Sequence, residues 1–160
     1  MLLQCFLLKM NVYIVGVYHP IQYIPHSSGP EWAQVIRDFK EFIQEQCRSL
    51  NIDLIAEEFS EYSLQHNPAQ DSTTRSAANA LDISFLFCDP DPDERLRLDI
   101  QTDPEREKEW LDRIIKFGKN RILFICGETH IESFKTLVLD AGHKADIVGS
   151  NWGAGYEGIN

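Results

Sequence analysis

The strongest constraint on this chain is a recurring pair: a short run of β-branched and aromatic residues with almost no charge, then a longer stretch with apolar residues at helical spacing. Residues 11–18 form the first run; 83–88, 121–126 and the shorter 145–148 are further apolar runs, and 53–58 is a short one that ends abruptly in two carboxylates. Runs of this length without polar alternation are expected of strands buried on both faces, as in a parallel sheet. Between them, Trp32, Val35, Ile36, Phe39, Phe42, Ile43 and Cys47 mark one face of a helix over 30–50, with Pro30 in its first turn. Residues 72–81 read as a second helix, packed through Ala77, Ala78 and Ala80. Asp103 at the N-cap, Pro104 just inside and Gly118 beyond the end bound a third, with Trp110, Leu111, Ile114 and Ile115 inward. A fourth runs from His130 to Ala141 and stops at Gly142. Strands alternating with helices give βαβ units and right-handed crossovers. The expected fold is therefore an α/β three-layer sandwich, with a mostly parallel sheet of about five strands between helices.

No repeat or linker interrupts this pattern, and 160 residues suit a single domain. With 43% hydrophobic and 25% charged residues, the composition excludes a disordered, collagen-like or disulfide-built chain. Fifteen Lys plus Arg against 25 Asp plus Glu leave a net charge of -10, so bulk nucleic-acid binding is not expected. Cys5, Cys47, Cys88 and Cys126 lie far apart without a CxxC pair, which fits small buried hydrophobes in a reducing cytoplasm. The apolar start, residues 1–9, is too short to span a membrane and lacks the basic region of a signal peptide. Either Met10 is the true start, or this segment is an edge strand or arm through which a homo-oligomer assembles. Residues 153–160 read as a flexible tail.

In an open parallel sheet the ligand site lies beyond the carboxyl ends of the strands, so the residues that follow each strand belong together. They are His19, Glu57 and Glu58, Asp89, His130, and Asn151 with Trp152. Such a set can bind a divalent metal through imidazole and carboxylate, or place a general base beside a water. The prolines and acids of residues 89–94 are expected to stop regular structure, leaving a solvated or metal-contacting loop. Arg95 and Arg106 can reach an anionic substrate group or pair with surface acids, and Trp152 can wall a pocket. Glu128 either joins the site or favours the positive end of the next helix. His26, His66 and His143 are expected to face solvent.

Both leading histidines share one local pattern, Gly16 with His19 and Gly127 with His130, each a GxxH directly after an apolar run. Composition alone gives about 0.3 such occurrences in a chain like this. With Glu57 and Glu58 after the intervening run, the pattern resembles the TraB, Tiki, ChaN and erythromycin-esterase superfamily. The segment from His130 through Gly142 to Val148 resembles that family's closing unit of histidine, helix, glycine and strand. Members are longer, with helical insertions that build the substrate pocket. The resemblance implies a site whose chemistry varies: metal-dependent proteolysis in Tiki-like members, metal-free histidine–glutamate hydrolysis in erythromycin esterases, haem binding in ChaN.

The function expected from these residues is that of a small hydrolase-like protein acting on a small molecule or peptide. His19, His130 and Glu57 or Glu58 would activate a water, either directly or through a divalent Mn, Zn or Fe ion held by His19, Glu58, His130 and Asp89. A non-catalytic small-molecule or metal-binding module on the same scaffold is the alternative.

Overall fold

The computed structural model describes residues 9–23, 29–66 and 71–156, without the side chains of His19, Tyr23 and Tyr156. Strand β1 (Asn11–Val17) leads through a 3-10 turn at His19–Tyr23 to helix α1 (Pro30–Leu50). Then follow β2 (Leu54–Glu57), α2 (Glu61–Gln65), α3 (Thr73–Ala80) and β3 (Ser84–Phe87). Helices α4 (Pro92–Arg97) and α5 (Asp103–Phe117) precede β4 (Arg121–Gly127). A 3-10 turn at Glu128–His130 then opens α6 (Ile131–Asp140), and β5 (Lys144–Trp152) ends in a 3-10 turn at Ala154–Tyr156. Among the described residues no helix is long and apolar enough to cross a membrane.

All five strands are parallel, in the order β3-β2-β4-β1-β5. This is the three-layer arrangement expected from the alternating pattern. Side-chain alternation along the strands divides the core in two. Ile14, Leu54, Ala56, Phe124 and Cys126 pack with Trp110 and Ile114 of α5 and with Phe134 and Val138 of α6. On the other face Val15, Val17, Ile55, Leu123 and Ile125 meet Val35, Phe39 and Ile43 of α1 and Ala77 and Ala78 of α3.

The connections set where a site can form. From β1 the chain crosses over β4 to reach β2, whereas from β4 it crosses over β1 in the opposite direction to reach β5. Neighbouring strands whose connections pass to opposite faces of the sheet leave a crevice beyond their carboxyl ends. Val17 pairs with Gly127 across this junction, so the two GxxH segments leave the sheet side by side.

Three local expectations are corrected. The acidic segment after β3 does not stop regular structure: Asp91 caps α4, its carboxylate accepting from the Glu94 N–H while Glu94 accepts from the Asp91 N–H. Two prolines and several acids are here a helix start signal, Pro92 being tolerated in the first turn. Helix α5 is capped by Thr102 rather than Asp103, with the Glu105 carboxylate accepting from the Thr102 N–H. Strand β5 runs on to Trp152, because backbone pairing with β1 continues past the apolar stretch. Residues 1–8 and 157–160, and with them most of the proposed arm and half of the tail, lie outside the described residues.

Candidate functional site

Glu57 ends β2 and Glu58 follows it directly, so the two side chains face opposite sides of the sheet. Each is buried, and each organises its own polar cluster.

On the α1 and α3 side, the Glu57 carboxylate accepts from the Ser72 hydroxyl at 2.6 Å, the Thr74 hydroxyl at 3.1 Å and the Gln22 amide at 3.3 Å. These donors come from the start of α3 and from the turn after β1, so one carboxylate ties three elements together. Burial pushes the Glu57 pKa up to about 7, against the opposing pull of its hydrogen bonds and of the Arg75 charge. Oε1 of Gln22 is buried without a hydrogen-bond partner among the described residues.

On the α5 and α6 side, Glu58 stands beside His130. Its Oε2 accepts from the Gly127 N–H at 2.9 Å and its Oε1 from Arg106 Nη2 at 3.0 Å. Nε2 of His130 lies 3.7 Å from Oε1, beyond hydrogen-bonding reach. The other ring nitrogen, Nδ1, is 2.8 Å from Oε1 of Glu107, which also accepts from the Ser133 hydroxyl at 2.7 Å. A carboxylate only accepts, so this contact places a proton on Nδ1, and in the neutral imidazole the lone pair then falls on Nε2. The edge of Trp110 against the ring, with centroids 5.2 Å apart, fixes its plane. Glu58, Arg106, Gly127, Glu128, Thr129 and His130 line a cavity of about 310 Å³.

Arg106 and Asp89 complete the floor. Asp89 accepts from Arg106 Nη2 at 3.1 Å, from Trp110 Nε1 at 2.9 Å and from Arg95. Burial works against the charge of Arg106, but the carboxylates of Asp89 and Glu58 outweigh it and raise its pKa. The two carboxylates are buried and the arginine part-buried, so removing Arg106 would leave two buried charges without their partner, which makes it a fixed part of the wall.

Of the residues singled out in the sequence, Glu58, His130, Arg106 and Asp89 thus come together. Arg95 joins them only through Asp89, and Glu57 belongs to the opposite face. Trp152 packs against Phe39 and Phe42 of α1 and does not line this cavity. The backbone places His19 at the same sheet edge, directly after β1, but its side chain lies outside the described residues. Among the described residues no group of three or more His, Cys, Asp or Glu is placed to hold a metal ion. The oxygens of Asp89 are committed to two arginines and a tryptophan, so Glu58 and His130 alone do not make such a site. His143, expected in solvent, is buried and accepts from the Met10 N–H at 3.4 Å.

Sequence reasoning missed Glu107 and Ser133. A signal for Glu107 existed: it falls in the stripe of Trp110, Leu111 and Ile114, at i, i+3, i+4 and i+7, where a carboxylate must find a buried partner. Ser133 offered none.

Comparison with protein-family models, with curated proteins and with solved structures finds no match to the chain.

Proposed function

We propose that the chain is a small hydrolase in which Nε2 of His130 takes the proton of a water that attacks an acyl carbon. The observation that carries this reading is the Glu107–His130 contact at 2.8 Å, with the opposite ring nitrogen turned to a cavity that Glu58 and Arg106 share. Glu107 holds the tautomer in which Nε2 can accept a proton, and Ser133 holds Glu107. As the imidazolium forms, Glu58 at 3.7 Å stabilises its charge, while Arg106 fixes the position of Glu58. The imidazolium then returns its proton to the leaving group. The exposed Thr129 hydroxyl is the donor at the cavity available to a developing oxyanion. Resemblance to the histidine–glutamate branch of the GxxH superfamily agrees with this assignment. Buried, unpaired Cys47, Cys88 and Cys126 support residence in a reducing compartment such as the cytoplasm.

The test is hydrolysis of a panel of p-nitrophenyl esters, aminoacyl amides and phosphodiesters by the wild type, His130→Ala and Glu107→Gln, with metal content measured on each sample. Loss of about 10²–10⁴ in kcat for His130→Ala, with the fold retained by circular dichroism, is the expected result. Full turnover by His130→Ala contradicts the proposal. Binding without turnover in the wild type assigns the scaffold to the non-catalytic module instead.

A further inference from the structure

The cavity at His130 is unbalanced in its hydrogen-bonding groups. Most of its donors are already engaged: the Gly127 N–H bonds Glu58, and Arg106 gives Nη2 to Glu58 and Asp89, Nε to Asp89, and Nη1 to Asp103 at 3.0 Å, which leaves the exposed Thr129 hydroxyl as the uncharged side-chain donor at its rim. One guanidinium thus faces three carboxylates and has at most one N–H to spare. Its acceptors, by contrast, are open. Glu128 lines the cavity half-buried, and its side chain forms no ion pair or hydrogen bond among the described residues. His130, itself nine-tenths buried, lines the same space, and its Nε2, 3.7 Å from Glu58 Oε1, makes no hydrogen bond among the described residues. An anionic group entering would meet Glu128 and Glu58, and among the described residues no unpaired Lys or Arg lines the cavity to receive it. A group rich in donors and positively charged satisfies both open acceptors at once.

We infer that the substrate carries a cationic amine that docks between Glu128 and the His130 ring, and that phosphate and carboxylate compounds are excluded. This rests on the proposed hydrolytic reading for the word substrate, but the charge selectivity is a property of the cavity and is measured by binding alone.

The probes are n-butylammonium, butyrate and inorganic phosphate, titrated into the full chain at fixed ionic strength while the backbone amide resonances of Gly127, Thr129 and His130 are followed by NMR. The expected result is saturable shifts with n-butylammonium at a Kd at least tenfold below that of either anion. Glu128→Gln should weaken the ammonium at least tenfold, and Glu132→Gln, an exposed acid on α6, should leave it unchanged. Butyrate or phosphate binding as tightly as the ammonium overturns the inference, as do ammonium shifts that ignore Glu128→Gln and the absence of any shift. If His130→Ala abolishes hydrolysis while the anions bind better, the catalytic reading stands and the substrate class falls. If the ammonium is selected but no variant alters turnover, the reverse holds.

Discussion

The two glutamates that end β2 differ in what surrounds them more than in where they stand. Glu58 has a guanidinium beside it, whereas Glu57 has only neutral donors in hydrogen-bonding contact and is buried with its pKa raised from 4.5 to about 7. Between those two values the folded chain keeps a proton that the unfolded chain has released, so stability falls as pH rises through that window. The loss is complete above the folded value and is on the order of 3 kcal/mol. Glu57→Gln keeps an acceptor for Thr74 and Gln22 and offers the Ser72 oxygen an N–H, without the buried charge. Urea unfolding should find the variant more stable than wild type at pH 8 by roughly 1–3 kcal/mol, with the two converging near pH 4.5. An unchanged pH slope in the variant would show that Glu57 is not the group responsible.

At the scale of elements, the first GxxH glycine serves the second GxxH turn. A Cβ on Gly16 would lie 2.7 Å from the Ser150 carbonyl oxygen, 2.7 Å from Ile131 Cγ2 and 3.2 Å from the Glu128 Cα. Only hydrogen fits where β1, β5 and the turn carrying His130 converge. Gly16→Ala should therefore cost at least the roughly 1–3 kcal/mol of an overpacked core and displace the turn at Glu128–His130. Gly149→Ala is the control, because its Cβ would meet Phe42 and Val15 at 3.5 Å, an ordinary contact. Denaturant titration of both should separate them, and equal stability would contradict the packing argument. Strands and long helices were legible in the sequence because apolar runs and the α1 and α5 stripes are local signals. The α4 start was misread because Asp91-Pro92 with Glu94 serves equally as turn breaker and capping box, and only the chain beyond decides between them.

For the whole molecule, the order of crossovers decides which residues meet. The connections from β2 to β3 and from β4 to β5 run apart, the cavity lies beyond the ends of β2 and β4, and that order is written nowhere in a local window. The convergence of Glu58, His130 and Asp89 at one edge was readable from the rule that sites lie beyond strand ends, whereas Arg106 reaches them from α5. Glu107 was not read, because its partnership with His130 joins α5 to the end of β4 across 23 residues. Strand parity alone separates Glu57 from Glu58, but which helices cover each face depends on that same order. The account depends on His130 presenting an unprotonated Nε2 to the cavity because Glu107 holds the proton on Nδ1. Long-range 1H–15N NMR of the imidazole at neutral pH measures this directly. A protonated Nδ1 with a pyridine-like Nε2 in the wild type, lost or mixed in Glu107→Gln, is the predicted result. A proton on Nε2 with Nδ1 bare, or a ring state indifferent to Glu107→Gln, would contradict it.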